Sequence, residues 1–321
     1  LPVTSPPGGV ADWTYTAVCD GAAMNFVDAS VPNGSAFVSW EWDFDNDGII
    51  DNTNASPSHT FPAEGIHTVS LTVTDGAGCS STFTQTVEVY PNPVADIITQ
   101  SACLNDLAAF LDNSTVSNLN TANNIIQWDW DLDISTSNQQ NPPAQTYTVA
   151  GQYNISLTVT TDNGCTDQII MPIDIYDKPI ADFNFVDDCV NQAIGMTDAS
   201  TVTSGAVNSW SWDIDGDWVT DYTTTNVSHL YANSGTYNVS LIVSSGNGCS
   251  DTIIQQVTAF PMPVSSLTTA DECVYDQVCF NDNSQVGAPD NIISHTYTFG
   301  DGSPLSAMQN PCHQYAAAGQ Y

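Results

Sequence analysis

Basic side chains are almost missing from this 321-residue chain: Lys178 stands alone, with no Arg, against 36 acids, giving a formal net charge of -35. No basic patch can form to neutralise phosphates, which excludes nucleic acid as a partner. An anionic lipid surface would repel the chain as well. Long apolar runs are also lacking, so nothing in this segment inserts into a membrane as a helix. The start has no charged region followed by an apolar one, so any signal peptide is expected to lie upstream or to have been removed. Cys-x-x-Cys pairs and Cys/His clusters are absent, which argues against zinc. No nucleophile elbow, paired acid/base constellation or phosphate loop occurs. The segment is therefore expected not to be an enzyme and to carry no organic cofactor.

What is present is a repeat. Hydrophobic residues make up 41% of the chain, too many for a disordered acidic tail. They recur in register with the cysteines. Cys19, Cys103, Cys189 and Cys273 each open a copy. An aromatic strand follows: Trp40-Glu41-Trp42-Asp43, Trp128-Asp129-Trp130-Asp131, Trp210-Ser211-Trp212-Asp213 and His295-Thr296-Tyr297-Thr298. Then comes an aromatic four residues before a Gly, at Phe61/Gly65, Tyr147/Gly151, Tyr231/Gly235 and Tyr315/Gly319. A period of about 85 residues is one small domain rather than one solenoid rung. The boundaries read as 1–91, 92–177, 178–262 and 263–321, the last copy stopping short of the strand that leads to a second Cys. The chain is thus expected to be part of a longer array.

The segments after the Gly alternate cleanly, as in Val69-Ser70-Leu71-Thr72-Val73, Ile155-Ser156-Leu157-Thr158-Val159 and Val239-Ser240-Leu241-Ile242-Val243. Such alternation marks half-buried antiparallel strands. Further strands are expected over 85–90, 168–176 and 253–260. No window carries a helical stripe. The fold class is all-β, with about seven strands per copy in an immunoglobulin-like two-sheet sandwich. Trp42, Trp130 and Trp212 are expected in the cores, and Trp13 and Trp218, outside the shared Trp positions, are the candidates for an exposed platform if the array binds a substrate. Proline-containing links at Tyr90-Pro91-Asn92-Pro93, Tyr176-Asp177-Lys178-Pro179 and Phe260-Pro261-Met262-Pro263 have few backbone states and favour an extended, semi-rigid rod.

The cysteines sort by copy. The spacing predicts Cys19–Cys79, Cys103–Cys165 and Cys189–Cys249 bridges, each closing a loop of about 60 residues worth roughly 4 kcal/mol in the chain-entropy model. Cys279 and Cys312 have no equivalents in the other copies and are expected to form an extra bridge. Cys273 is left unpaired because the chain stops first. Such bridges imply an oxidising, extracytoplasmic location, either secreted or on a cell surface.

Together, Trp42-Asp43-Phe44, Phe299-Gly300-Asp301-Gly302, Ser228-His229-Leu230-Tyr231 and Gly235-Thr236-Tyr237-Asn238-Val239-Ser240-Leu241 resemble the motifs of the PKD (polycystic kidney disease) domain. The chain looks like three PKD-like repeats and most of a fourth. The resemblance implies a spacer, adhesive or accessory module of secreted and surface proteins. Cys-bearing tandem arrays of this kind resemble those of giant surface proteins of Bacteroidota, including gliding-type adhesins exported by the type IX route.

Two acidic loops are the candidate site. Copy one holds Asp43, Asp45, Asp47 and Asp51, and copy three Asp213, Asp215, Asp217 and Asp221. Hard oxygen ligands at alternate positions suit Ca2+, though solvated Asp-capped turns have the same composition. Copy two (Asp131-Leu132-Asp133-Ile134-Ser135) and copy four (Asp301 alone) are expected to hold no ion. His59, His229 and His313 share one position and read as structural turn residues, while His67 replaces a Tyr and His295 a Trp. Sequons occur at Asn33, Asn54, Asn113, Asn154, Asn226 and Asn238, and Asp251-Thr252-Ile253 resembles a Bacteroidota O-glycosylation acceptor at Thr252. The function expected is a structural or adhesive repeat region of an extracellular fibre, with surface polysaccharide or protein ligands and further repeats of its own chain as partners. The alternatives are an accessory array of a secreted hydrolase, or a filament subunit completed by a donated strand.

Overall fold

The computed structural model describes residues 9–117 and 123–321. They form two compact units, Leu1–Tyr176 and Asp177–Tyr321. Every regular element among the described residues is a strand.

The first sandwich sets the pattern. Its strands are β1 (Trp13–Tyr15), β2 (Val18–Cys19), β3 (Met24–Asp28), β4 (Phe37–Asp43), β5 (Ser58–His59), β6 (Gly65–Asp75) and β7 (Ser80–Tyr90). One sheet has the order β1-β3-β5 and the other β2-β7-β6-β4. Alternation in β6 turns Val69, Leu71 and Val73 wholly inward, as the period of two requires. Trp42 of β4 is fully buried among them, with Met24 and Phe26 from the facing sheet.

The third sandwich repeats this. Phe183–Phe185, Ala193–Asp198 and Asn226–Leu230 make its smaller sheet, and Asp188–Cys189, Ser250–Phe260, Gly235–Ser245 and Val207–Asp213 its larger one. The second keeps the same core around Trp130, Leu157 and Ile173. There, Thr136–Ser137 folds back as an extra strand on Trp130 and Asp131. The smaller sheet is split into two-residue pairs.

The strand after each Gly-Cys turn begins earlier than its hydrophobicity suggests, at Ser80, Thr166 and Ser250. Its first half alternates only between exposed and half-buried positions, so it carries no apolar alternation. Backbone pairing from Thr74↔Ser80 onward holds it instead. Trp13 also departs from expectation: it is 2% exposed and packs against Phe26 and Trp42 in the core, so it is no surface platform. Trp218 is 76% exposed.

The cysteines correct the sequence reading most. Cys19 bonds Cys165 of the second sandwich, with Cα atoms 5.7 Å apart, while Cys79 and Cys189 are free thiols. None of the expected Cys19–Cys79, Cys103–Cys165 and Cys189–Cys249 bridges is therefore formed. The reason is the length of one strand. Cys19 pairs in register with Tyr90 at the far end of β7, whereas Cys79 sits in the turn just before Ser80. The eleven residues of β7 separate them by about 35 Å at roughly 3.3 Å per residue, and a disulfide needs Cα atoms within about 7 Å. Cys189 is likewise opposite Phe260, at the other end of the strand from Cys249.

In the fourth copy Cys279 and Cys312 face each other across an antiparallel pair and are bonded, and Cys273 is free and exposed. His295–Thr298 is not a strand; Tyr297 makes one isolated bridge, to Ser306. In the other copies this segment pairs with the strand that holds Val69 or its equivalents.

Candidate functional site: two acidic loops

Both loops leave the end of a strand just after its buried tryptophan. In the first sandwich Asp43 closes β4 beside Trp42, and Trp42 N and O bond Asn52 O and Asp51 N at 2.9 and 2.8 Å. That bridge brings Asp51 back beside Asp43. The third sandwich does the same, with Asp221 N donating to Trp212 O at 2.7 Å. Carboxylate oxygens of Asp43, Asp45 and Asp51 lie within 4.8 Å of one another, as do those of Asp213, Asp215 and Asp221. Asp47 and Asp217 are not in these clusters; each accepts a backbone N–H two residues on, from Ile49 at 2.7 Å and Val219 at 2.8 Å.

The carboxylates also knit the loops. Asp43 accepts from Gly48 N at 2.8 Å and Asp47 N at 3.2 Å, and Asp51 from Phe44 N at 2.7 Å. Asp213 accepts from Gly216 N and Trp218 N, both at 2.8 Å, and Asp221 from Ile214 N at 2.8 Å. Asn46 and Trp218 take left-handed φ values of 56° and 68°, a conformation unusual for a bulky Trp. Asp45 is the odd member. Desolvation, then the charges of Asp47, Asp51 and Asp43, push its carboxyl above the usual range. A divalent cation would relieve that repulsion. The three-oxygen donor set fits a hard ion such as Ca2+, with Asp43, Asp45 and Asp51, or Asp213, Asp215 and Asp221, as its holders.

The other two copies arrange their acids differently. In copy two Asp131 accepts from Asp133 N at 2.9 Å and the chain turns straight into Thr136–Ser137. In copy four Asp301 accepts from Ser303 N at 3.0 Å and from His313 Nε2 at 2.7 Å.

The histidines pack on aromatics or bond a neighbour within their own sandwich. His59 stacks on Phe44 with centroids 4.2 Å apart, and His313 on Phe299 at the same distance. Burial pushes the His59 imidazole below its ordinary value. His67 Nε2 donates to Ala63 O at 2.9 Å, the place where Tyr153, Tyr237 and Tyr321 donate to the carbonyl four residues earlier at 2.8, 2.8 and 2.9 Å.

One recurring group escapes a reading focused on Cys and Trp. Asp28, Asp112, Asp198 and Asp282 each accept from the N–H of a Ser two residues on, at 2.9 to 3.0 Å. The first three also accept from Trp40, Trp128 and Trp210 Nε1 at 2.7, 2.7 and 2.8 Å. The Asp-x-Ser spacing, repeated at the period of the cysteines, is the signal that would have found it.

A family model described as PKD domain matches residues 6–91, 90–174 and 176–259. The chain belongs to the PKD domain family. Among solved structures it is similar to the PKD1 domain of Vibrio anguillarum Epp, at 34% identity over 26% of this chain and 94% of that one, with a TM-score of 0.23. It is similar at 32% identity to the PKD1 domain of the Vibrio cholerae metalloprotease PrtV, over 26% and 98% of the two chains, TM-score 0.23. The fibronectin(III)-like modules of Clostridium thermocellum CbhA match at 13% identity over 52% and 93%, TM-score 0.34. Tandem PKD domains with a disulfide joining two of them fit a structural, extracellular repeat region.

All six sequon asparagines and Thr252 are exposed. The Asp251 carboxylate beside Thr252 is engaged within its own sandwich, accepting from Ala181 N at 2.8 Å, as Asp167 does from Ala95 N.

Proposed function

We propose that this PKD array is a structural and adhesive segment of a long fibre on a cell surface or in the extracellular space, non-catalytic and stiffened by calcium in its first and third sandwiches. The observation that carries the reading is the Cys19–Cys165 bond, which couples one sandwich to the next. A cross-link between beads limits their relative motion, and that serves length and stiffness rather than chemistry. Histidines stacked on core aromatics leave little for general acid/base work; Ser303 Oγ lies 3.5 Å from His313 Nε2, but that nitrogen is taken by Asp301 Oδ2 at 2.7 Å. Export by the type IX route, as in gliding-type adhesins, belongs to the same proposal. Polysaccharide or protein would be the ligand.

The test is to remove residues 1–262 from the native gene and measure both the reach of the surface fibre and attachment of the cells. Shorter fibres with weaker attachment support the adhesive fibre. Unchanged reach and attachment would end this reading.

A second reading, a ligand-binding accessory array of a secreted hydrolase, has one observation in its favour. Trp218 and Val219 project from the third sandwich's loop at 76% and 62% exposure. Retention of the chain on an insoluble polysaccharide, lost in Trp218→Ala, would favour it.

A further inference from the structure

Each complete sandwich carries its two cysteines at opposite ends. Cys19, Cys103 and Cys189 lie opposite Tyr90, Tyr176 and Phe260, the last residues of the final strand, where the chain leaves the sandwich. Cys79, Cys165 and Cys249 lie in the turn before that strand. The entry end of each sandwich is tied to this turn: Ala11 N donates to Ser81 Oγ at 3.1 Å, Ala95 N to Asp167 Oδ2 at 2.8 Å and Ala181 N to Asp251 Oδ2 at 2.8 Å. Ser81, Asp167 and Asp251 each stand two residues after the turn cysteine. One thiol therefore marks the exit and one the entry of every bead.

The Cys19–Cys165 bond shows what these positions do, because it joins the exit cysteine of one sandwich to the entry cysteine of the next. Cys79 is the entry cysteine of the first sandwich, and Cys189 the exit cysteine of the third. Both are half-buried free thiols, and neither reaches the other cysteine of its own bead. We propose that Cys79 and Cys189 are cross-linking sites for further PKD sandwiches of the same chain. Cys79 takes the exit cysteine of a preceding bead, and Cys189 the entry cysteine of a following one. Each bond forms by exchange with a small-molecule disulfide: two protein thiols lose two protons and two electrons, and the disulfide is released as two thiols. The proposal stands on sandwich geometry alone and does not depend on adhesion or calcium.

Two extended versions of this 321-residue segment test it. One carries a copy of Asn238–Phe260 after Tyr321, supplying the fourth bead with an entry cysteine. The other carries a copy of residues 92–177 before Leu1, supplying an exit cysteine upstream. Both are equilibrated in oxidised and reduced glutathione, alkylated, cut with a carboxylate-specific protease and mapped without reduction. The expected result is loss of alkylation at Cys189 in the first version, with its peptide bonded to the appended cysteine. In the second, Cys79 loses alkylation and is bonded to the copied Cys103. Cys189 and Cys79 remaining alkylated overturns the proposal, as does an appended cysteine bonded to Cys273 inside its own sandwich. Covalent multimers of the unextended chain through Cys79 and Cys189 would also overturn it, because the occupant would then be a second copy.

Discussion

His295 Nε2 stands 2.9 Å from Asp282 Oδ2, at the place that a tryptophan Nε1 fills against Asp28, Asp112 and Asp198. The shared requirement is a donor aimed at a carboxylate that already accepts from an Asp-x-Ser turn. Hydrogen bonds from the Ser284 side chain and backbone, then from Gln309 and His295, hold the Asp282 carboxyl down at about 2. Asp301 is held low by Ser303 and His313. At Asp112 burial acts upward, but Ser114, Gln140 and Trp128 outweigh it and the net shift is downward.

These shifts fix the sign of the acid response. A carboxyl whose folded value lies below its unfolded one, about 3.9 for Asp, contributes stability that is fully present above the unfolded value and is lost as pH falls through the folded one. Melting temperatures should therefore drop between about pH 4 and 2, the window set by these carboxyls. Asp282→Asn should flatten the part of that slope belonging to the fourth copy. A midpoint independent of pH over this interval would contradict the assignment.

Reduction provides a second test. The Cys19–Cys165 bond spans 146 residues, for which the chain-entropy model gives about 5 kcal/mol, an upper figure because strain and residual structure subtract from it. Cys19→Ser should lower the urea midpoint of the first unit and leave Cys165, which is buried in the fold, open to alkylation once the chain is denatured. The other sandwich-forming contacts do not involve the bond, so near-native circular dichroism should persist. If Cys165 of this variant stayed unalkylated even in denaturant, its partner would be a different cysteine.

The strands, the repeat and the tryptophan cores were legible because each rests on short-range periodicity: two residues within a strand and about 85 between beads. Cysteine pairing was not. The spacing from Cys19 to Cys79 recurs to within two residues in each of the first three copies, and the spacing from an exit cysteine to the next bead's entry cysteine also recurs, so regularity cannot choose between them. Only the span of β7, which begins in the polar stretch Ser80–Thr84, shows that partners within one copy lie at opposite ends. Trp13 was misplaced for a related reason. Its equivalents in the other copies, such as Ile97 and Phe183, are not tryptophans, so comparison by residue type made a core position look exceptional. The three-carboxylate clusters were visible as Asp spacing, but which acid stays outside depends on the bridge between Trp42 and Asn52.

Within each of the first three beads the two tryptophans of the aromatic strand should respond differently to mutation. Trp212 is fully buried and donates Nε1 to Thr224 O at 2.9 Å, so Trp212→Ala should cost about 3–5 kcal/mol. Trp210 is partly buried against Asp198. Its replacement by Phe keeps most of the packing and removes one hydrogen bond to a charged group, worth roughly 1.5–3 kcal/mol. Urea unfolding of the single variants measures both, and a Trp210→Phe cost equal to that of Trp212→Ala would overturn the ranking.

Calcium is best tested at Asp45 and Asp215, because their neighbours are committed to the loop. Asp43 takes two backbone N–H groups, so Asp43→Ala leaves donors unpaired and should destabilise the first sandwich by about 1–3 kcal/mol without any ion. Asp45 accepts only a 3.2 Å bond from Asp47 N, which Asp43 shares. Its raised carboxyl marks a charged form that the folded loop disfavours, so Asp45→Ala should leave melting in chelator unchanged or slightly higher. Millimolar calcium should raise the melting temperature of the native chain and have no effect on the Asp45→Ala/Asp215→Ala double variant. An equal rise in both would place the ion outside these loops, and no rise in either would end the calcium proposal.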